Sequence, residues 1–116
     1  MERDLKYRCY NFSLLVIRFL KSKKWDSLSL VVVKQLMRSA LSVGANVVEA
    51  KNSSSRLEFK RFYEIALKSS NESKYWMCLL RDGFEVKDEE LNVLLKEADE
   101  ISKILASSVL KLKKSD

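Results

Sequence analysis

The chain has no histidine and no proline, and among its 116 residues it has only two glycines and two cysteines. Lack of histidine removes the usual general base, the commonest metal ligand and the Ser-His and Cys-His nucleophile pairs. Two isolated glycines, Gly44 and Gly83, make neither a phosphate-cradling loop nor a dinucleotide fingerprint. Cys9 and Cys78 are too few for a structural zinc site and share no CxxC spacing. The opening Met1-Glu-Arg-Asp-Leu-Lys has no apolar leader, so the two cysteines read as reduced thiols of a cytoplasmic protein. The scarcity of glycine and proline leaves few turns, which fits long helices with short connections and does not fit an all-β chain. The longest apolar stretch, residues 28–48, is interrupted by Lys34, Gln35, Arg38, Ser39 and Asn46, a pattern that argues against a membrane span. What remains for chemistry is carboxylates, of which Glu49, Glu58, Glu64 and Glu72 could in principle do acid–base or metal work. Solvated or salt-bridged glutamates are the expected reading, with no enzyme activity, cofactor or metal, and equilibrium dialysis for bound metal tests it.

Apolar residues make up 47% of the chain and charged ones 33%, the balance of one globular domain spanning 1–116. The net charge of +6 is unevenly spread: residues 1–24 carry +5, residues 25–50 carry 0, residues 51–81 carry +4 and residues 82–116 carry −3. A basic first and third segment beside an acidic fourth suits a polyanionic partner, and equally suits helices that attract one another.

Hydrophobic spacing predicts four helices. The first runs from about Leu5 to Lys23, with Tyr7, Tyr10, Leu14, Ile17 and Leu20 as its inward stripe, widened by Phe12, Leu15 and Phe19, and with lysines at its C-terminal end. The second runs from Leu28 to Ala50 behind an N-cap at Asp26 or Ser27. Its Leu30-Val31-Val32-Val33 run has strand propensity, but the helical period persists through Leu36, Met37, Ala40, Leu41, Val43, Val47 and Val48. Being apolar around most of its circumference, it is expected to be central or doubly buried. Ser55 and Glu58 form a capping box that opens a third helix from Arg56 to about Asp82. That helix has the stripe Phe59, Phe62, Ala66, Ser69, Ser73, Trp76 and Leu80, and Gly83 as its terminator. Small residues in mid-stripe admit a close neighbour. Asp88, Glu89 and Glu90 open the fourth helix, whose stripe is Leu91, Leu94, Ala98, Ile101, Leu105, Ser108 and Leu112, and whose last turn carries Lys111, Lys113 and Lys114. The economical arrangement is all-α: an antiparallel up-down-up-down four-helix bundle.

One line of residues exceeds what a plain bundle needs. Gln35, Ser39, Ser42, Asn46 and Glu49 step by four, three, four and three along the second helix, with Arg38 beside them. They read either as a solvent face or as a polar seam that fixes register in a contact between subunits.

The stretch Gln35-Leu-Met-Arg-Ser-Ala-Leu-Ser-Val-Gly-Ala-Asn-Val-Val-Glu-Ala50 resembles the signature of the four-helix bundle family of 23S ribosomal RNA intervening-sequence proteins. So does a second set: Ser54, Ser55, Glu58 and Phe59, then Ile65-Ala-Leu67, Glu72 and Tyr75-Trp76. The resemblance covers about residues 10–112. A family glutamate just after Leu67-Lys68 is serine here, at Ser69 or Ser70, and the leucine after Trp76 is Met77. The resemblance implies the fold, a ring-shaped homopentamer, and a distant kinship with the accessory protein of diversity-generating retroelements, a basic barrel that binds nucleic acid and a reverse transcriptase.

The expected function is therefore a non-enzymatic, oligomeric, basic module that binds RNA or DNA, largely without sequence preference. The alternative is a protein-interaction scaffold that docks a reverse transcriptase or an RNA-processing partner; a neighbouring reverse transcriptase gene, or a location inside a ribosomal RNA gene, discriminates between them. Candidate nucleic-acid contacts are Arg8, Arg18, Lys21, Lys23 and Lys24 on the first helix, with Arg3 and Lys6, and Lys51, Arg56, Lys60 and Arg61 around the start of the third, with Lys68 and Lys74. Replacing Lys21, Lys23 and Lys24 by glutamate is expected to abolish binding. Tyr7, Tyr10 and Tyr63 could stack on bases, with core packing the expected role for all three. Candidate subunit-contact residues are Gln35, Arg38, Ser39, Ser42, Asn46, Glu49, Glu72 and Trp76. Ile65, Leu67 and Leu79 spread apolar surface around the third helix beyond a single stripe, which also points to an interface.

Overall fold

The structure, a computed structural model, describes residues 2–114, with side chains from Leu5 onward. It contains four helices: α1 (Glu2–Lys21), α2 (Ser27–Lys51), α3 (Arg56–Gly83) and α4 (Glu89–Lys114). Their starts follow local chemistry. The Asp26 carboxylate accepts the Ser29 amide at 2.8 Å and opens α2. The Ser55 hydroxyl accepts the Glu58 amide at 3.1 Å, while the Glu58 carboxylate reaches back to the Ser54 amide at 3.0 Å. These bonds satisfy amides that a helix N-terminus otherwise leaves without partners.

The end of α3 differs from expectation. Gly83 is the last helical residue and does not adopt a left-handed conformation; the positive φ falls on Glu85, at 54°. The Val86 amide bonds the Leu80 carbonyl at 3.1 Å across this turn, and Val86 is buried. Folding Val86 back onto the core thus places the reversal two residues after the glycine.

Each helix packs on its two neighbours in the cycle α1–α2–α3–α4, and no diagonal pair packs closely among the described residues. That is the antiparallel up-down-up-down bundle, extending 46 × 22 × 21 Å. The α2–α3 seam is the most extensive and the α1–α4 seam the least. The first is close because the facing positions are small: Ser39, Ala40 and Val43 on α2 meet Ala66, Ser69 and Ser73 on α3, all buried.

The core is centred on Phe12, Leu36, Tyr63, Met77, Leu80, Leu94, Ile101 and Leu105, each at most 2% exposed. On α4 the inward stripe ends at Val109, with Ser108 only half-buried. On α1 the inward residues are Leu5, Cys9, Phe12, Val16, Phe19 and, as expected, Leu20. Tyr7 and Tyr10, expected inside, are 63% and 66% exposed. The helix is rotated by about one residue relative to the tyrosine stripe. Cys9 sits where it can meet Gly44, at which an added Cβ would come 3.3 Å from the Cys9 Cβ. A tyrosine facing that position would hold α1 away from α2. By length and composition alone α2 could cross a bilayer; in the bundle its buried residues face α1 and α3, leaving Leu28 and Val31 exposed.

Candidate nucleic-acid and subunit interfaces

In its middle, at Ser39 and Ser42, the polar line on α2 faces α3 of the same chain. Ser73 donates to Ser39 at 3.0 Å and Ser69 to Ser42 at 2.9 Å. The Asn46 amide completes the row, donating to the Ser42 hydroxyl at 2.9 Å and to its carbonyl at 2.8 Å. Ser39 is buried, so it belongs neither to a solvent face nor to a subunit interface. The correction has a simple cause: a serine hydroxyl can be satisfied locally, as Ser39 is by the Leu36 carbonyl at 3.2 Å, and its small size lets two backbones approach. Gln35 and Arg38 stay at the rim, bonded to one another at 3.0 Å. A second buried hydroxyl pair, Ser70 and Ser102 at 2.7 Å, joins α3 to α4.

Glu72 and Trp76 lie apart from this row, on the outward face of α3. With Leu67 and Tyr75 they line an open groove flanked by Glu64 and Lys68. Tyr75 is largely and Ile65 nearly half exposed, and the Tyr75 and Trp76 rings meet edge to face at 5.1 Å. The Trp76 indole N–H is buried without a hydrogen-bond partner. Of the four glutamates with possible acid–base roles, Glu58 is a cap and Glu64 lies 4.0 Å from Lys113. Among the described residues no three potential metal-binding side chains cluster.

The basic candidates fall into three groups. Arg8 is engaged within the chain: its Nε and Nη2 donate to Glu97 at 2.7 and 2.8 Å, and Nη2 also reaches Glu100. Lys23 is similarly taken up by Asp88, at 2.9 and 3.0 Å. The first joins basic α1 to acidic α4, the second links the residues just after α1 to the one just before α4, and both absorb part of the charge asymmetry. Arg18, Lys21 and Lys24 remain exposed around the C-terminal end of α1. Together with Lys23, Arg81 and Lys87 they share that end of the bundle with Asp26, Asp82, Glu85, Asp88, Glu89 and Glu90, so cations and carboxylates there balance. Arg3 lies outside the described side chains. Lys74 pairs with Asp99 at 3.2 Å, and Lys68 is exposed on α3.

The third group is at the opposite end. Lys51 closes α2 with its Nζ 5.9 Å from the Phe59 ring centre, and Arg56, Lys60 and Arg61 occupy the first turns of α3. The antiparallel topology brings the last turn of α4 to the same place: Leu112 lines a depression with the α2–α3 loop and Phe59. Lys111, Lys113 and Lys114, read from sequence only as helix-ending charges, therefore join Lys51, Arg56, Lys60 and Arg61. Among the described side chains in the first turns of α3 and the last turns of α2 and α4, these seven cations face Glu49, Glu58 and Glu64, and the first turns of α1 bring Glu2, Arg3, Asp4 and Lys6 to the same end. Sequence separation of about fifty residues hid the grouping; the up-down topology expected from helical spacing was the signal that could have revealed it.

Against known proteins, the chain matches the family described as 23S rRNA-intervening sequence protein over residues 4–107. It is also similar to a crystal structure of a protein of unknown function from the S23 ribosomal protein family of Bacteroides thetaiotaomicron. That likeness has a TM-score of 0.80 and 31% identity, covering 90% of this chain and 97% of the other. No curated protein matches the chain.

Proposed function

The chain belongs to the 23S rRNA-intervening sequence protein family, and from that premise we propose that it is a non-enzymatic module that binds nucleic acid through the basic end of its bundle. The observation that carries this reading is the convergence of Lys51, Arg56, Lys60 and Arg61 with Lys111, Lys113 and Lys114 at one end, where among the described side chains of α2, α3 and α4 only Glu49, Glu58 and Glu64 stand against them. Helix ends present such charges on rigid supports, and phosphate contacts accumulate affinity through counterion release. Nothing in this arrangement reads a groove, so binding is sequence-tolerant.

The test is a salt titration of binding to a labelled structured RNA and to a matched DNA duplex. Affinity should fall steeply with salt. Lys111→Glu, Lys113→Glu and Lys114→Glu together should weaken binding and flatten the slope by about one unit for each phosphate no longer engaged. Lys24→Glu, at the balanced end, should have the smaller effect. No binding at low salt would overturn the reading and favour a scaffold that docks a protein such as a reverse transcriptase.

The protein is further proposed to be a homo-oligomer whose subunits meet through the outer face of α3. Ile65 and Tyr75 are exposed there beside the half-buried Leu67 and Trp76, more apolar surface than an isolated bundle needs. The pentamer follows from family resemblance. Light scattering at micromolar concentration tests it, and a monomer would overturn it.

A further inference from the structure

The surface shared by α1 and α2 combines two features. It has no carboxylate from Leu5 to Trp25 or from Ser27 to Val48, while Asp4, Asp26 and Glu49 stand at its margins. It also holds a groove of about 500 Å³ between the two helices. Tyr7 and Tyr10, one helical turn apart on α1, line one side; Leu41, Ala45 and Val48 line the other. Gly44 keeps the floor low, because α1 and α2 approach closely at Cys9. Both tyrosine rings are about two-thirds exposed and can be covered without opening the bundle.

Cations bound the groove. Lys6 lines its lower mouth. On α2 the stripe Val48, Ala45, Leu41 continues at helical spacing through Arg38 to Lys34, and on α1 the stripe Lys6, Tyr10, Ser13, Ile17 ends at Lys21. Arg38, Lys34 and Lys21 are all exposed. Two adjacent aromatic faces in an apolar trough with positive ends suit a ligand that has flat π-faces and a polyanionic backbone. A second copy presenting the same surface would set cation against cation with carboxylates only at the margins, which disfavours a symmetric pairing here.

We propose that the Tyr7–Tyr10 groove is a stacking platform for unpaired bases of single-stranded nucleic acid, with the backbone phosphates running between Lys6 and the Lys21–Lys34–Arg38 cluster. This inference rests on the nucleic-acid reading above and adds a preference for single strands that the basic end alone does not supply. A duplex keeps its bases stacked inside and gains nothing from the two rings.

The experiment measures anisotropy of a labelled 20-nucleotide oligo(dT) and of a blunt duplex of equal length, over a salt series, with the full chain. Tyr7→Ala with Tyr10→Ala should weaken oligo(dT) binding about tenfold or more while leaving its salt slope unchanged, because the substitution removes stacking and leaves every phosphate engaged. Duplex affinity should stay within twofold, and Tyr7→Phe with Tyr10→Phe should restore oligo(dT) binding. Both positions are exposed, so a circular dichroism melt should match that of the parent. Unchanged oligo(dT) affinity, or an equal loss for duplex, overturns the proposal and leaves the basic-end reading standing. A change of subunit number without loss of oligo(dT) binding makes the groove an interface between copies and overturns it too. Absence of all binding by the parent chain ends both readings.

Discussion

Arg8 offers the sharpest test of what holds the bundle's weakest seam. The α1–α4 seam is the least extensive of the four, and Arg8 spans it with a two-pronged bond to Glu97 and a third bond to Glu100. The side chains of Arg8, Glu97 and Glu100 are 34%, 23% and 44% exposed, so water screens much of the attraction. Exposed pairs typically contribute about 0.2–1 kcal/mol, and the forked geometry places Arg8–Glu97 at the upper end, about 1 kcal/mol, with about half that for Glu100. Together the two pairs make Arg8→Ala destabilising by at least about 1.5 kcal/mol, with the lost packing of the aliphatic stem on top. For a domain of this size that lowers the melting temperature by about 5–8 °C. The assay is a double-mutant cycle of Arg8→Ala and Glu97→Ala by urea denaturation at low and high salt. The coupling should be about 1 kcal/mol at low salt and shrink at 1 M, where the Debye length falls to about 3 Å. A coupling below about 0.3 kcal/mol at low salt would refute the reasoning. Because the Arg8 fork is already occupied, Arg8→Ala should leave nucleic-acid affinity within twofold, whereas an Arg8 that binds phosphate would show a clear loss.

Other expectations follow from buried hydroxyls and shifted acids. Ser73→Leu should destabilise by about 1–3 kcal/mol by prising α2 from α3, and Ser73→Ala by about 1 kcal/mol, as read from urea midpoints. Burial, aided by the nearby Glu97 charge, pushes the Cys9 thiol up to about 12. At pH 8 iodoacetamide should therefore reach Cys9 only on unfolding and Cys78 before it. Since the thiol ionises more readily in the unfolded chain, its contribution to stability is intact below about pH 8.5 and is lost as pH rises towards its folded value. Three carboxyls are held below the usual range: Asp26 by the Ser29 amide and hydroxyl, Asp82 by the Arg81 guanidinium, and Asp99 by Lys74 and Lys103. Their contribution is present above the unfolded value of about 3.9 and is lost as pH falls through the folded ones. Asp26→Asn keeps a capping acceptor but cannot titrate, so it should flatten the acid limb of stability between about pH 2 and 5; an unaltered limb would exclude the cap as its source.

The parts of this fold legible in sequence are those fixed by neighbours in the chain. Four helices, the Asp26 and Ser55–Glu58 starts and the α4 stripe as far as Leu105 needed only spacing and cap chemistry. The rotation of α1 needed its partner. Apolar and aromatic residues surround that helix, so the tyrosine stripe and the Cys9–Phe12–Val16 stripe both fit helical spacing, and the choice is made by Gly44 on α2. The serine row misled for a related reason: a hydroxyl is equally suited to water and to a close helix seam, and the matching serines on α3 lie about thirty residues away. The basic end was half legible, since Lys51 and Arg56 adjoin in sequence while Lys111, Lys113 and Lys114 reach them only through topology.

The contrast between seams governs how the molecule opens. The α2–α3 hairpin is joined by a short loop and a row of buried hydroxyls, whereas α1 and α4, the two end helices, meet through sparse packing and partly exposed ion pairs. Sub-global unfolding should begin where packing is thinnest. Amide protons in the middle of α2 and α3 should therefore exchange with solvent last, near the global limit, and those of α1 well before them. The bundle then behaves as a stable hairpin carrying two detachable arms, and a ligand seated between α1 and α2 would announce itself as slowed exchange along α1.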